Sequence, residues 1–143
     1  MIAVDSNLLI YAHRAATPEH RAARRALERA AGGASGWGIA LPSIAEFWAV
    51  VTHPAASGRP STGGEASRFI ASLVTAGAQL WLPGAGFAER LLRVAADRKV
   101  MGARIFDLQI ALIALESGAR ELWTHDRAFQ SLTGLVTHDP LGP

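Results

Sequence analysis

The chain contains no cysteine, which excludes disulfide bonds and zinc sites built on thiolates. No apolar run approaches the roughly 20 residues that a membrane-spanning helix needs, and no basic leader precedes the first apolar residues. We therefore expect a cytoplasmic globular protein with no membrane partner. At 143 residues, we expect a single domain, residues 1–143, that buries about two-thirds of its unfolded surface.

Lysine is almost absent, because Lys99 is the only lysine among the 14 Lys and Arg residues. Arginine binds phosphate through two parallel hydrogen bonds and keeps its charge. The formal net charge of +2 is compatible with a nucleic-acid partner but does not by itself indicate one. Four arginines recur at helical spacing: Arg21, Arg24, Arg25 and Arg29. A solvated helix face is the ordinary interpretation, and contact with nucleic-acid phosphate or a protein partner is the alternative.

The segment from Ile2 to Ala12, IAVDSNLLIYA, places one carboxylate between two apolar runs. A short apolar run that ends in polar residues indicates a buried strand followed by a helix. Ser6 or Asn7 is expected to cap that helix by accepting hydrogen bonds from its first N–H groups. Asp5 then lies at the carboxyl end of a strand, where open α/β sheets bind ligands. Alternatively, Asp5 only caps the helix or ends a turn.

Strands and helices alternate along the rest of the chain. Further strands are expected at 37–41, 79–82, 121–123 and near 135–136. Helices are expected at 17–31, from 43 onward, from 62 onward, at 87–99, at 105–116 and, as a short helix, at 128–132. This alternation predicts an α/β fold whose sheet is mostly parallel and has helices on both faces.

Four carboxylates are expected at the same edge of this sheet: Asp5, Glu46, Asp107 and Asp126. Two directly follow strands, and the other two lie in the first turn of a helix that begins at that edge. Each also has a structural explanation. Ser43-x-x-Glu46 has the spacing of a capping box, and Asp107 could favour a helix N-terminus through the helix dipole. Four acids converging on one edge nevertheless favour a ligand site.

Carboxylates without cysteine or regularly spaced histidine form a site for a hard cation, Mg²⁺ or Mn²⁺. Such an ion activates water and stabilises the leaving oxygen during attack on a phosphodiester. Because the ion would do this work, the chain needs no Ser–His pair or cysteine nucleophile. The pattern predicts metal-dependent phosphodiester hydrolysis.

Four segments carry a family resemblance: IAVDSNLLIYA, PSIAEFWAV, IFDLQIALIALESGARELWTHDRAF and GLVTHDPL. In this order and at this chain length, the sequence resembles PIN-domain ribonucleases, and more narrowly the VapC-type toxins of bacterial toxin–antitoxin pairs. The resemblance implies a three-layer α/β/α sandwich with a mostly parallel central sheet of four to five strands. It also implies an RNA substrate, homodimers, and an antitoxin protein whose tail enters the active-site groove.

The resemblance also assigns roles to residues of the site. The acidic quartet of the family maps onto Asp5, Glu46, Asp107 and Asp126. Asp5 and Asp107 take the positions of the usual ligands of Mg²⁺, for which Mn²⁺ can substitute, while the other two acids are additional or water-mediated ligands. Ser6 has the position of a polar residue that often supports the site in the family. Asn7 and Thr124 are also expected to support the site. Leu108 departs from the family pattern, in which a small residue often follows the third acid; the difference concerns helix packing and no catalytic group.

Several other protein classes share part of this sequence pattern. A haloacid-dehalogenase-type phosphatase needs a second aspartate where this chain has Asn7. A response-regulator receiver needs a lysine at the end of a late strand, whereas Lys99 ends an expected helix. A metal-free ribonuclease could use His13 and His125 as acid and base. A degenerate PIN module would bind RNA or a protein without cleavage, although the complete acidic quartet argues against it.

Overall fold

The structure, a computed structural model, describes residues 1–56 and 58–142. The strands are β1 (Ile2–Val4), β2 (Trp37–Ala40), β3 (Gln79–Trp81), β4 (Glu121–Trp123) and β5 (Val136–His138). The helices are α1 (Ser6–His13), α2 (His20–Gly32), α3 (Leu41–Val51), α4 (Gly63–Thr75), α5 (Phe87–Asp97) and α6 (Arg104–Glu116). Within the described ranges, none of these helices combines the length and the apolar character needed to cross a membrane.

All five strands are parallel and lie in the order β3-β2-β1-β4-β5. The chain builds the sheet outward from β1 through β2 to β3, and then returns to place β4 on the other side of β1. The strand order therefore reverses between β1 and β4, where Val4 pairs with Trp123. In open α/β sheets the crevice outside the carboxyl ends at such a reversal is the usual ligand site.

Two apolar cores flank the sheet, one on each face. Ile2, Val4 and Ile39 face one core, which is completed by residues of α1, α2, α3 and α4. Ala3, Ala40 and Leu122 face the opposite core, which contains residues of α5 and α6. Because both faces are covered, the inner strands are apolar on both sides. The predicted three-layer α/β/α sandwich with a parallel sheet is confirmed.

Several element boundaries differ from those expected. The second helix begins at His20 rather than residue 17, because Thr17 forms a turn in which its hydroxyl donates to the Arg14 carbonyl at 2.8 Å. Strand β2 ends at Ala40, and Pro42 lies in the first turn of α3, where its missing N–H leaves no intrahelical bond unmade. Helix α5 ends at Asp97, before residue 99.

The short helix expected at 128–132 is wrong: the segment forms turns and irregular structure. Its backbone donors bind carboxylates instead of helical carbonyls, since Ala128 N donates to Asp126 Oδ1 at 2.9 Å and Gln130 N donates to Asp107 Oδ2 at 3.3 Å. The last strand consequently begins later than expected, at Val136.

Gly38 provides a test of the packing between β2 and β3. A Cβ atom at this position would overlap the indole ring of Trp81, which lies against the strand. We expect Gly38→Ala to lower the free energy of unfolding by about 1–3 kcal/mol, because the ring has to shift within a packed core. Urea unfolding of the two proteins measures the change.

Gly32→Ala is the matched control, because the space around a Cβ at Gly32 is open. We expect its free energy of unfolding to change by about 0.5 kcal/mol or less. Equal effects of the two substitutions would contradict the proposed steric conflict with Trp81.

Candidate functional site

Asp5 lies at the carboxyl end of β1, where the strand order reverses, and is 5% exposed. Its backbone N–H donates to the Trp123 carbonyl at 3.0 Å, which continues the β1–β4 pairing by one residue. Its Oδ1 atom accepts from Ser6 N at 2.8 Å, so Asp5 is itself the N-cap of α1. The expectation that Ser6 or Asn7 caps this helix is wrong, since the helix begins one residue earlier than that assignment requires.

The Thr124 hydroxyl connects Asp5 to the segment that follows β4. It donates to Asp5 Oδ2 at 2.8 Å and accepts from Asn7 Nδ2 at 3.0 Å and from Asp126 N at 3.1 Å. Asn7 also accepts from the backbone N–H of His125 at 3.0 Å. The structure thus places Ser6, Asn7 and Thr124, the three expected supporting residues, around the Asp5 carboxylate.

The electrostatic environment of Asp5 is unfavourable to its charge. Burial raises the pKa of Asp5 to about 6, against hydrogen bonds from Thr124 and Ser6 that lower it. The negative charges of Glu46 and Asp107 raise the pKa further. Glu46 belongs to α3, which begins directly after β2, and Asp107 lies in the first turn of α6, so both are near the sheet edge where Asp5 lies.

Asp107 lies in the first turn of α6, and its carboxylate is compensated by neighbouring donors. Its Oδ2 atom accepts from Gln130 N at 3.3 Å and from Arg104 Nη1 at 3.4 Å. The residues beside it point in different directions, since Phe106 is 60% exposed whereas Leu108 is 4% exposed. Leu108 therefore belongs to the packed side of α6. This agrees with the expectation that its difference from the family pattern concerns helix packing.

Glu46 is exposed on α3, one and a half turns from the start of the helix. The expected Ser43–Glu46 capping box does not form, because α3 begins at Leu41 and Ser43 Oγ is buried without a hydrogen-bond partner. By contrast, Thr62 and Glu65 form a complete capping box at α4. Glu46 is thus left without the structural role that its sequence spacing suggested.

Asp126 is exposed and turns its Oδ1 atom back to Ala128 N, so it also stabilises the turn after β4. It reaches Asp5 only through Thr124, whose hydroxyl binds both residues. In the part of the chain that the structure describes, no group of three or more Asp, Glu or His side chains converges closely enough to hold one ion. The quartet shares one sheet edge, but its carboxylates do not form a closed ligand cage.

His125 forms a pair with Asp139 that sequence reasoning missed. The Nδ1 atom of His125 lies 3.0 Å from both carboxylate oxygens of Asp139, the residue after β5. Burial raises the pKa of Asp139, but hydrogen bonds from His125 and from Leu141 N outweigh it and hold that pKa below its usual value. The sequence could indicate that Asp139 lies at the same sheet edge, because it follows a strand as Asp5 does, but it does not indicate the pairing with His125.

His13 is placed away from this edge, at the far end of α1, about 10 Å along the helix axis from Ser6. Its Nε2 atom lies 2.8 Å from Ser61 Oγ, and its ring packs edge-on against Phe47 and Phe69. Burial, and then the charge of Arg14, lowers the pKa of His13. This placement does not support His13 and His125 as an acid–base pair.

The four arginines of α2 are exposed, as a solvated face requires: Arg21, Arg24, Arg25 and Arg29. Arg29 differs from the others because its guanidinium carbon lies 5.6 Å from the ring centre of Trp123. This cation–π contact packs α2 against the end of β4.

The chain matches the family description "PIN domain" over residues 2–135. The chain belongs to the PIN-domain family. This PIN domain is 34% identical to ribonuclease VapC43 of Mycobacterium tuberculosis over 142 residues, which cover 99% of this chain and 96% of the relative. The resemblance to VapC-type proteins is therefore confirmed at the level of sequence.

Two solved structures share the fold of this PIN domain. VapC20 of Mycobacterium tuberculosis, described as a toxin that cleaves the sarcin–ricin loop, superposes with a TM-score of 0.67 at 14% identity, covering 90% of this chain and 92% of its own. VapBC2 of Rickettsia felis, bound to a DNA fragment of its promoter, gives a TM-score of 0.62 at 17% identity, with coverages of 96% and 98%. At these identities the likeness establishes the fold alone.

The raised pKa of Asp5 predicts how stability of the metal-free PIN domain depends on pH. Between about pH 4 and pH 6 the folded state keeps a proton on Asp5 that the unfolded state has lost, so stability falls as the pH rises. Above about pH 6 the full cost, on the order of 3 kcal/mol, is present. Asp5→Asn has no carboxyl group that titrates at this position. The free energy of unfolding of Asp5→Asn, relative to that of wild type, should therefore rise between about pH 4 and pH 6.

Denaturant unfolding in EDTA at several pH values measures this difference. The Thr124 hydroxyl lowers the pKa of Asp5 in the wild type. In Thr124→Val, which lacks this hydroxyl, the pH range over which stability falls should therefore extend to higher pH. A stability difference between Asp5→Asn and wild type that is constant from pH 4 to pH 7 would show that Asp5 is not desolvated as described.

Proposed function

We propose that this PIN domain is a metal-dependent endoribonuclease and the toxin of a toxin–antitoxin pair. Its proposed catalytic residues are Asp5, Glu46, Asp107 and Asp126. The observation that carries the proposal is the buried Asp5 carboxylate at the β1–β4 reversal, whose pKa is raised by burial and by the charges of Glu46 and Asp107. Strongly perturbed carboxylates in such a crevice are candidates for catalysis. The named ribonuclease activity of VapC43 supports the same function.

The residues present are compatible with a divalent cation. Asp5 and Asp107, the proposed ligands, offer carboxylate oxygens, which Mg²⁺ and Mn²⁺ prefer. Their mutual repulsion raises the pKa of Asp5, and a cation between them would offset it. The contacts of Asp107 with Gln130 N and Arg104 are long, at 3.3 and 3.4 Å, so exchanging them for a cation loses little. Glu46 and Asp126 would act as additional or water-mediated ligands.

The supporting residues fix the orientation of the Asp5 carboxylate. Oδ1 is held by Ser6 N and Oδ2 by the Thr124 hydroxyl, which Asn7 in turn binds. These bonds favour the charged form of Asp5 and so keep it available as a ligand at neutral pH. When bound, the cation would lower the pKa of water and stabilise charge that develops on the phosphate.

The proposed partners are RNA, an antitoxin protein and a second copy of the chain. VapC43 is named a ribonuclease, which supports an RNA substrate here. VapC20 is described as a toxin, and VapBC2 as bound to a DNA fragment of its promoter, which supports an antitoxin partner. Four exposed arginines of α2 offer a further surface for RNA or partner contact: Arg21, Arg24, Arg25 and Arg29.

The alternative is a PIN module that binds RNA or a protein without cleaving. The exposed positions of Glu46 and Asp126, and the lack of a three-residue ion cage among the described residues, favour it. The preserved quartet at the β1–β4 reversal argues for the enzyme instead. Two experiments separate them.

The first experiment is a cleavage assay on single-stranded and looped RNA. The purified protein should cut in Mg²⁺ or Mn²⁺ and lose activity in excess EDTA, because the proposed mechanism assigns the activation of the attacking water to the cation. Products should carry 5′-phosphate ends, since water and not the 2′-hydroxyl attacks the phosphate. Full activity in EDTA, or cyclic-phosphate ends, would indicate a histidine mechanism. No cleavage under any condition would favour the binding module.

The second experiment compares wild type with Asp107→Asn in thermal melts with EDTA and with Mg²⁺. Wild type should gain about 2.7 kcal/mol of stability when Mg²⁺ is at a hundred times its dissociation constant. Asp107→Asn should gain much less and lose cleavage, while its metal-free fold should be at least as stable, because one repelling charge is gone.

Asp97→Asn is the matched control, since Asp97 is an exposed carboxylate at the end of α5. It should retain both cleavage and the Mg²⁺ response of wild type. An active Asp107→Asn protein with a full Mg²⁺ response would rule out a site shared by Asp5 and Asp107.

A further inference from the structure

Lys99 has a backbone conformation that lysine rarely adopts. Its φ is 55°, and every other residue with positive φ in the described part of the chain is glycine. Lys99 N donates to the Ala96 carbonyl at 3.2 Å and Val100 N donates to the Ala95 carbonyl at 2.9 Å. This closes α5 in the manner of a Schellman motif, in which glycine is the usual residue at this position. The single lysine of the chain therefore occupies a position that favours glycine.

Strained backbone conformations of this kind cluster at active sites and ligand clamps. Lys99 borders a cavity of about 330 Å³ between the end of α5, the start of α6 and the segment after β4. Arg98 and Arg104 also line it, together with Gln130 and Ser131, and none of its lining residues is acidic. The cavity is therefore lined by three cations, by two polar residues and by four apolar residues: Val100, Met101, Leu108 and Leu132.

This cavity adjoins the proposed catalytic edge. Arg104 lines the cavity and lies 3.4 Å from Asp107 Oδ2 through its Nη1 atom. Gln130, on the opposite wall, donates its N–H to the same oxygen at 3.3 Å. An extended anion that reaches the carboxylates at Asp107 can therefore continue directly into the basic cavity.

We propose that the cavity binds a phosphate of the RNA strand next to the bond that is cleaved, with Lys99 and Arg98 as its contacts. This proposal rests on the proposed function, because it assigns the occupant as the same RNA. Three cations without an acid in the lining exclude a metal ion, and phosphate is the group that arginine and lysine bind together. Contacts of this type position a strand without reading its bases.

Lys99→Gly tests the proposal, because it removes the charge and relieves the backbone in one step. Binding of a fluorescent single-stranded RNA oligonucleotide is measured by anisotropy in EDTA at several salt concentrations. Losing one phosphate contact should lower the salt slope by about 0.7 and weaken binding about fivefold at 0.1 M salt. The melting temperature should instead rise by about 2–4 °C, because glycine adopts positive φ without strain. A weaker binder that is more stable cannot be explained by misfolding.

Two controls accompany this variant. Lys99→Arg keeps the charge and should bind RNA as wild type does. Arg68→Ala removes one exposed charge from α4 and should leave the salt slope unchanged. If Lys99→Gly binds RNA as tightly as Arg68→Ala does, or if wild type binds no RNA in EDTA, the proposal is overturned.

Parallel cleavage assays in Mg²⁺ separate this proposal from the proposed function. A wild type that cleaves, with Lys99→Gly unchanged in affinity, contradicts the phosphate site alone. A wild type that loses affinity on Lys99→Gly but never cleaves supports the phosphate site and contradicts the nuclease.

Discussion

The buried carboxylate of Asp5 is the constraint on which both the fold and the proposed chemistry depend. A charge that is 5% exposed is costly unless it is hydrogen-bonded, and Asp5 is bonded to residues from two separate elements. It caps α1 through Ser6 N, and it binds the residue after β4 through the Thr124 hydroxyl. Asp5, which is proposed to be catalytic, therefore also joins β1 to the segment after β4. Replacing it should change stability and activity together.

Sheet topology explains why acids far apart in sequence come together. In a parallel sheet every strand ends at the same edge, and every connecting helix begins there. Asp5 and Asp126 follow β1 and β4, the two strands that meet at the reversal, while Glu46 and Asp107 lie near the starts of α3 and α6. The convergence therefore needs no contact between the acids, whose repulsion opposes it. It is imposed by the hydrogen-bonded strands and the two cores.

Elements with strong apolar periodicity were predictable from sequence, and residues whose partners are distant were not. The strands and α6 were placed within two residues. For β1, β2 and α6 the reason is a run of largely buried apolar side chains. The local spacing of Ser43 and Glu46 was misleading, since the pairing of β2 fixes where α3 begins and buries Ser43. The expected helix at 128–132 fails because Gln130 N binds Asp107, 23 residues earlier. Asp139 was overlooked because only the folded sheet brings it beside His125.

In this molecule the positively charged residues, which would attract RNA, are distinct from the four acids proposed to act in cleavage. The chain has 12 acidic residues against 14 basic ones, and four of the acids form the quartet; eight acids therefore face 14 basic residues elsewhere, an excess of six positive charges. The quartet by itself repels phosphate, so attraction for an RNA strand has to come from the surrounding arginines and Lys99, whose field acts within about 10 Å at moderate salt. Arginine suits this surface because it binds phosphate in pairs of bonds and does not lose its charge. The carboxylates can then be placed for a cation and a scissile phosphate without also having to hold the strand. Under the proposed function, residues that bind RNA and residues that act on it should be separable by mutation, even though the cavity bordered by Lys99 and Arg104 adjoins Asp107.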